Sequence, residues 1–194
     1  PTQSAREETC RRIVAETGAT LVHPYENEAV IAGQGTAAIE LLEDAPRLDF
    51  LLCPVGGGGL LAGTAIAARE LAPGIRIVAT EPAEAADTWR SFQAGHIVPL
   101  EHTATIADGL RTTIGRPNFA LARQLVDEVV TVSEEAIVAA MRALWATLKI
   151  VGEPSGAVPY AAVLEGKVPL AGRRAGLILT GGNVDLDALP WVKK

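Results

Sequence analysis

Asp49-Phe-Leu-Leu-Cys-Pro-Val55 runs directly into Gly56-Gly-Gly-Gly59, and Leu60–Leu71 follows as strong helix formers closed by Pro73-Gly74. A continuous apolar run of strand length is what a parallel strand covered on both faces requires. A glycine loop between such a strand and a helix is the basic unit of an α/β sheet. The flanking sequence repeats the alternation. Towards the C-terminus, Ile75–Thr80 reads as a strand, Ala83–Ala94 as a helix, and Pro99–Gly115 as an irregular polar stretch. Asn118–Val126 reads as a helix and Glu128–Val132 as a strand. Ser133 supplies an N-cap, with Glu134 and Glu135 in the first turn of a helix reaching about Lys149. Glu153-Pro-Ser-Gly156 opens another helix, and Gly176-Leu-Ile-Leu-Thr180 is a last buried strand.

Towards the N-terminus, Glu28–Glu43 reads as a helix, Ala19–Pro24 as a short strand ended by its proline, and Ser4–Gly18 as a surface helix with a glycine stop. Five strands alternating with helices predict an open, mostly parallel twisted sheet with helices on both faces. No internal repeat, low-complexity tract or linker divides the chain, so one domain is expected.

The 194 residues carry a net charge of −6, which argues against a nucleic-acid partner, because phosphate neutralisation needs a basic surface. No apolar run reaches the roughly 20 residues that a bilayer span needs. Cys10 and Cys53 are too few and too scattered for a disulfide framework or zinc cluster, so a reduced, cytoplasmic setting is the expectation. The chain opens Pro1-Thr-Gln without an initiator Met, and its four lysines are Lys149, Lys167, Lys193 and Lys194.

Two glycine segments compete for a ligand at the carboxyl ends of the strands. Gly33-Gln-Gly-Thr-Ala-Ala38 is a loose dinucleotide fingerprint, but no acid stands where the ribose would need one, after Cys53-Pro-Val55. Close backbone packing at a helix start is the favoured reading there. In Pro54-Val-Gly-Gly-Gly-Gly-Leu60, four successive glycines lose more conformational entropy on folding than other residues would. The loop is either tightly packed or a row of N–H groups converging on an anion at a helix N-terminus. No Lys-Ser/Thr follows, which disfavours a nucleoside triphosphate and points to one small phosphate.

Pro54–Leu60 resembles the phosphate loop of fold-type II pyridoxal-phosphate enzymes, in the serine racemase and serine/threonine dehydratase branch. Further segments agree in order: His23-Pro-Tyr with Val30-Ile-Ala-Gly-Gln-Gly-Thr36, Thr105-Ile-Ala-Asp-Gly109, Glu153-Pro-Ser-Gly156, Leu179-Thr-Gly-Gly-Asn-Val-Asp-Leu186, and the closing Trp191-Val-Lys. The resemblance implies pyridoxal 5'-phosphate as cofactor, with Gly56, Gly57, Gly58, Gly59 and Leu60 around its phosphate. It implies that Thr180 replaces the family's serine at the pyridine nitrogen, and it puts Glu153 near the ring, the other reading of Glu153 being the N-terminal acid of a helix. A neutral hydroxyl there does not hold the nitrogen protonated, which suits loss of an α-proton with departure of a β-hydroxyl. Glu81, Ala85 and Asp87 match positions that bind a structural Mg²⁺ or Ca²⁺, although on sequence alone two acids six apart are more often solvated surface. Arg6 and Thr112 match positions facing the substrate carboxylate.

The resemblance also implies what the chain lacks. The family's Schiff-base lysine lies in an upstream Ser-x-Lys-x-Arg-type segment, and none of the four lysines has that context. The expectation is therefore the C-terminal portion of a large cofactor-binding domain, residues 1–194, without the small domain. The intact protein would be a homodimeric lyase, dehydrating a small β-hydroxy amino acid to a 2-oxo acid and ammonia, and able to racemise serine. Two other readings stand beside it: an inactive binding or regulatory module, and a nicotinamide oxidoreductase using Gly33–Ala38.

Overall fold

The computed structural model describes residues 3–192; Pro1, Thr2, Lys193 and Lys194 lie outside the described residues. Four strands form one sheet: β1 (Phe50–Pro54), β2 (Arg76–Pro82), β3 (Glu128–Val132) and β4 (Ala175–Leu177), in the order β3-β2-β1-β4. Every pairing is parallel, with Leu51 opposite Ile77 and Gly176, and Thr80 opposite Val130. The helices are α1 (Gln3–Thr17), α2 (Glu28–Asp44), α3 (Gly59–Leu71), α4 (Asp87–Ala94), α5 (Arg116–Leu125), α6 (Glu134–Leu148) and α7 (Pro154–Leu164). None is long and apolar enough to cross a membrane.

Strand alternation sorts the core into two layers. Leu52, Val78, Val130 and Val132 pack with α6 and α7, through Ile137, Met141, Val158 and Ala161. Leu51, Cys53, Ile77 and Ala79 face α2, α3 and α5, through Leu42, Leu61, Ala65 and Ala122. The continuous apolar reading of residues 49–55 is explained: every residue of β1 is buried. Where α2 crosses α3, Gly35 and Gly63 meet, and a Cβ on Gly35 would stand 2.8 Å from the Gly63 carbonyl oxygen. Gly33–Ala38 lies inside α2 rather than at a helix start; Gly35 serves packing, whereas a Cβ on Gly33 would meet nothing within 4 Å.

Some boundaries differ from the sequence reading. Ala19–Pro24 is not a strand: it joins no ladder, and Leu21 and Val22 stay more than half exposed. A strand exists only where a neighbour completes its hydrogen bonds, and the described sheet has β3 and β4 at its edges. The expected helix 83–94 is split into a 3₁₀ turn, Ala83–Ala85, and α4. The last strand stops at Leu177; Ile178 still donates to the Leu52 carbonyl, and the chain then bends so that Thr180 rests on Gly156. Gly18 ends α1 as expected, at φ +70°, its N–H donating to the Val14 carbonyl.

Candidate functional site

The loop between β1 and α3 lies at the carboxyl edge of the sheet, where ligands of open α/β folds gather. Gly56–Gly59 are all buried. Gly58 takes φ +86°, a conformation L side chains rarely adopt. The ring of Tyr25 lies directly on Gly57, inside the space a Cβ would need. Among the described residues, the backbone N–H groups of Gly56 to Leu60 donate no hydrogen bond within the chain. A buried donor without a partner costs about 1–3 kcal/mol. Several such donors in succession at the positive end of a helix would suit an anion such as phosphate.

Two side chains to which the sequence assigns no role at the loop, Tyr25 and Asn118, define its surroundings. Tyr25 belongs to a short strap, His23–Asn27, that crosses it. The His23 Nδ1 accepts from the N–H groups of Tyr25 and Glu26, so His23 is a structural residue of the strap. Asn118, at the start of α5 and 1% exposed, donates through Nδ2 to the carbonyls of Gly57 and Tyr25, both at 2.7 Å. The Glu26 carboxylate accepts from the Arg116 N–H and completes the join.

The same edge gathers other expected positions. The Thr112 hydroxyl stands 3.2 Å from where a Cβ on Gly56 would be, with the Gly109 carbonyl equally near. Gly109 donates to the Ser155 hydroxyl at 3.1 Å, which ties the irregular stretch to the first turn of α7. Glu153 occupies the N-cap position of α7 without capping it through its side chain. Its carboxylate instead accepts from the Asn183 N–H at 2.9 Å and lies against Gly181. The Thr180 backbone touches Gly156, and the Thr180 hydroxyl has no partner among the described residues. Arg6 is an exposed residue of α1, and its charge is felt at the Tyr25 hydroxyl; among the described residues no hydrogen bond joins it to Thr112.

Glu81, Ala85 and Asp87 are together and buried, at 0%, 1% and 1% exposure. Glu81 accepts from the N–H groups of Trp89 (2.5 Å) and Thr88 (3.2 Å). Burial pushes its carboxyl up to about 8, with the Asp87 charge adding to the rise. Burial also raises Asp87, to about 6, against the hydrogen bond its Oδ2 accepts from the Ile114 N–H. Its Oδ1 is buried without a donor. Two acids of the same sign, one with an orphaned oxygen, fit a hard divalent cation better than they fit each other. Among the described residues no third acidic, His or Cys side chain joins them.

The described lysines are elsewhere. Lys149 ends α6 with its ammonium on the Ala146 carbonyl, and Lys167 pairs with Glu165 beyond the far end of α7. Cys53 is fully buried and its thiol is pushed up to about 12 by desolvation, which leaves it inert. Two cavities of about 510 and 530 Å³ belong to outer faces, one beside α1 and residues 19–22, the other between α2, α3 and α5; neither contains the glycine loop.

A parallel α/β sheet with a buried glycine loop and undonated N–H groups at its carboxyl edge has the form of a domain that could take a phosphorylated ligand. The chain belongs to the pyridoxal-phosphate dependent enzymes, whose family pattern matches residues 2–181. It is 47% identical over 191 residues to the beta-hydroxyaspartate dehydratase of Paracoccus denitrificans, covering 98% of this chain and 61% of that protein. It is 45% identical over 193 residues to the serine racemase of Arabidopsis thaliana, covering 97% and 58%. The solved maize serine racemase superposes with a TM-score of 0.91 at 44% identity, over 96% of this chain and 58% of that one. The chain thus spans about 60% of the length of these relatives.

Proposed function

We propose that residues 1–194 form the cofactor-binding part of a pyridoxal-phosphate-dependent ammonia-lyase acting on a small β-hydroxy amino acid. The observation that carries this reading is the buried glycine loop with its undonated N–H groups, in a chain of this family. Gly56–Leu60 would hold the phosphate, and Thr180 would offer its free hydroxyl to the ring nitrogen. When bound, pyridoxal phosphate supplies a sink for the electrons released as the α-proton leaves. Thr112 and Arg6 would face the substrate carboxylate, and the Glu153 carboxylate, held by Asn183, would border the ring. The β-hydroxyl leaves as water, the imine released then takes up one water, and the net change is from the amino acid to a 2-oxo acid and ammonia. The names of the relatives support a hydroxyaspartate or serine substrate.

The full-length protein should release ammonia and 2-oxo acid in equal amounts from L-serine, L-threonine or 3-hydroxyaspartate. No product from any of the three would sink the reading. Residues 1–194 alone, mixed with pyridoxal phosphate and L-serine, should make no pyruvate above the free-cofactor background, because no described lysine lies at the loop. Enzyme-like turnover by that chain would overturn the claim that the base is supplied by other parts of the protein.

Glu81, Asp87 and the Ala85 carbonyl would hold Mg²⁺ or Ca²⁺ and steady the start of α4. Adding either ion to chelator-treated protein should raise its melting temperature, and the double variant E81Q/D87N should lose that response. A rise of equal size in the double variant would exclude this site.

A further inference from the structure

The Gly57 carbonyl is the most heavily engaged group of the glycine loop. It accepts from the Asn118 Nδ2 at 2.7 Å and from the Gly115 N–H at 3.0 Å. The second Nδ2 proton of Asn118 goes to the Tyr25 carbonyl, also at 2.7 Å. The orientation of this amide is fixed by the network, since a flipped amide would aim its oxygen at two carbonyls. No cis peptide bond occurs among the described residues, so the Gly57 carbonyl and the Gly58 N–H are opposite edges of one planar trans unit. Whatever fixes the direction of the first therefore fixes the direction of the second. Asn118 stands on the carbonyl side, and the Gly58 N–H points the other way, without a partner in the chain.

We propose that Asn118 is the positioning residue of the phosphate site: by clamping the Gly57 carbonyl, it aims the Gly58 N–H at the bound phosphate. The same side chain holds the Tyr25 strap to the loop, so the floor and the cover of the site are set by one amide. This deepens the reading of Gly56–Leu60 as a phosphate loop and rests on it. Asp keeps the shape of Asn118 but has no protons for the two carbonyls, and it adds a negative charge behind an anion site. Ser is too short to reach both carbonyls and adds no charge.

Three ligands separate positioning from general damage: inorganic phosphate, pyridoxal 5'-phosphate, and pyridoxal, which lacks the phosphate. In the full-length protein, calorimetric titration of N118D and N118S should show binding of the first two weakened about tenfold or more. Pyridoxal binding should stay within about twofold of wild type, because Asn118 acts on the loop and strap carbonyls and not on the ring. Equal losses for all three ligands would mean a merely structural residue and would overturn the proposal, as would unchanged phosphate affinity in both variants. If N118D fails to fold, N118S carries the same test. A measurement on the wild type needs no variant: on titration with inorganic phosphate, the ¹H–¹⁵N amide resonance of Gly58 should move, and a stationary Gly58 signal in saturated protein would defeat the proposal. A wild type that binds no phosphate at all would instead remove the phosphate-loop reading itself.

Discussion

Gly57→Val is expected to empty the cofactor site while leaving the fold standing. The Tyr25 ring already occupies the space a Cβ would enter, so a branched side chain must displace the ring or push the loop off the end of β1. Overpacking of this kind costs roughly 1–3 kcal/mol. The loop is held only on its carbonyl side, by Asn118 and Gly115 at Gly57, and its N–H side has no partner in the chain, so pressure from the ring turns the loop's N–H groups. A shift of a few tenths of an ångström misaims several donors together. Phosphate affinity should therefore fall by about tenfold to a hundredfold, at 1.4 kcal/mol per factor of ten. The melting temperature should fall by only a few degrees, at about 2–4 °C per kcal/mol for a chain of this size. Equilibrium dialysis against pyridoxal phosphate and a thermal melt measure the two quantities. A variant with normal cofactor content and normal rate would remove the loop from the site.

Gly156→Ala should produce the larger loss of stability. Here the atom in the way is the Thr180 carbonyl oxygen, which belongs to backbone and has no rotamer to change. Relief requires α7 to separate from the bend after β4, and that bend carries both Thr180 and the Gly181 that Glu153 lies against. The cost is about 3 kcal/mol or more, equivalent to a fall of roughly 10 °C in melting temperature. Gly152 provides the control, since a Cβ there meets nothing within 4 Å and its φ is not positive. G152A should therefore melt within a degree or two of wild type. Equal melting of the two variants would refute the close approach of α7 and Thr180.

The parallel sheet was legible because its signal is local. Residues 49–71 carry an unbroken apolar strand, a glycine loop and a helix in 23 consecutive positions, and each neighbouring unit repeats the pattern with its own breaker. The same kind of signal misled at Ala19–Pro24, where a short apolar run ending in proline has the composition of a strand but no neighbouring edge to pair with. The length of the last strand was also beyond local reading, because the bend that ends it is imposed by Gly156 on another element.

At the candidate site, the glycines identified themselves by being four in a row, and their burial against other parts of the chain gives the physical reason for that run. Tyr25 and Asn118 gave no such sign. Asn118 reaches Gly57 across 61 residues and Tyr25 across 93. An asparagine near a helix start reads by itself as a cap or a surface residue. The stretch 99–115 is similar: it has no period, yet Gly109, Thr112 and Ile114 lie against the glycine loop and the buried acids. Its order comes from partners distant in sequence, which single-sequence periodicity does not register.

Residues 114–118 touch both sites. The Ile114 N–H is held by Asp87, the Gly115 N–H by the Gly57 carbonyl, and Asn118 by the same carbonyl. The adjacent backbone N–H groups of Ile114 and Gly115 thus connect the buried carboxylates to the glycine loop, with no side chain between them that could absorb a movement. Thermodynamic reciprocity then applies: the factor by which an occupant of Glu81 and Asp87 changes the affinity for phosphate is the factor by which phosphate changes the affinity for that occupant. The coupling can be measured from either end, as the shift in phosphate affinity with cation concentration or as the shift in cation affinity with phosphate. The two measurements must return one number.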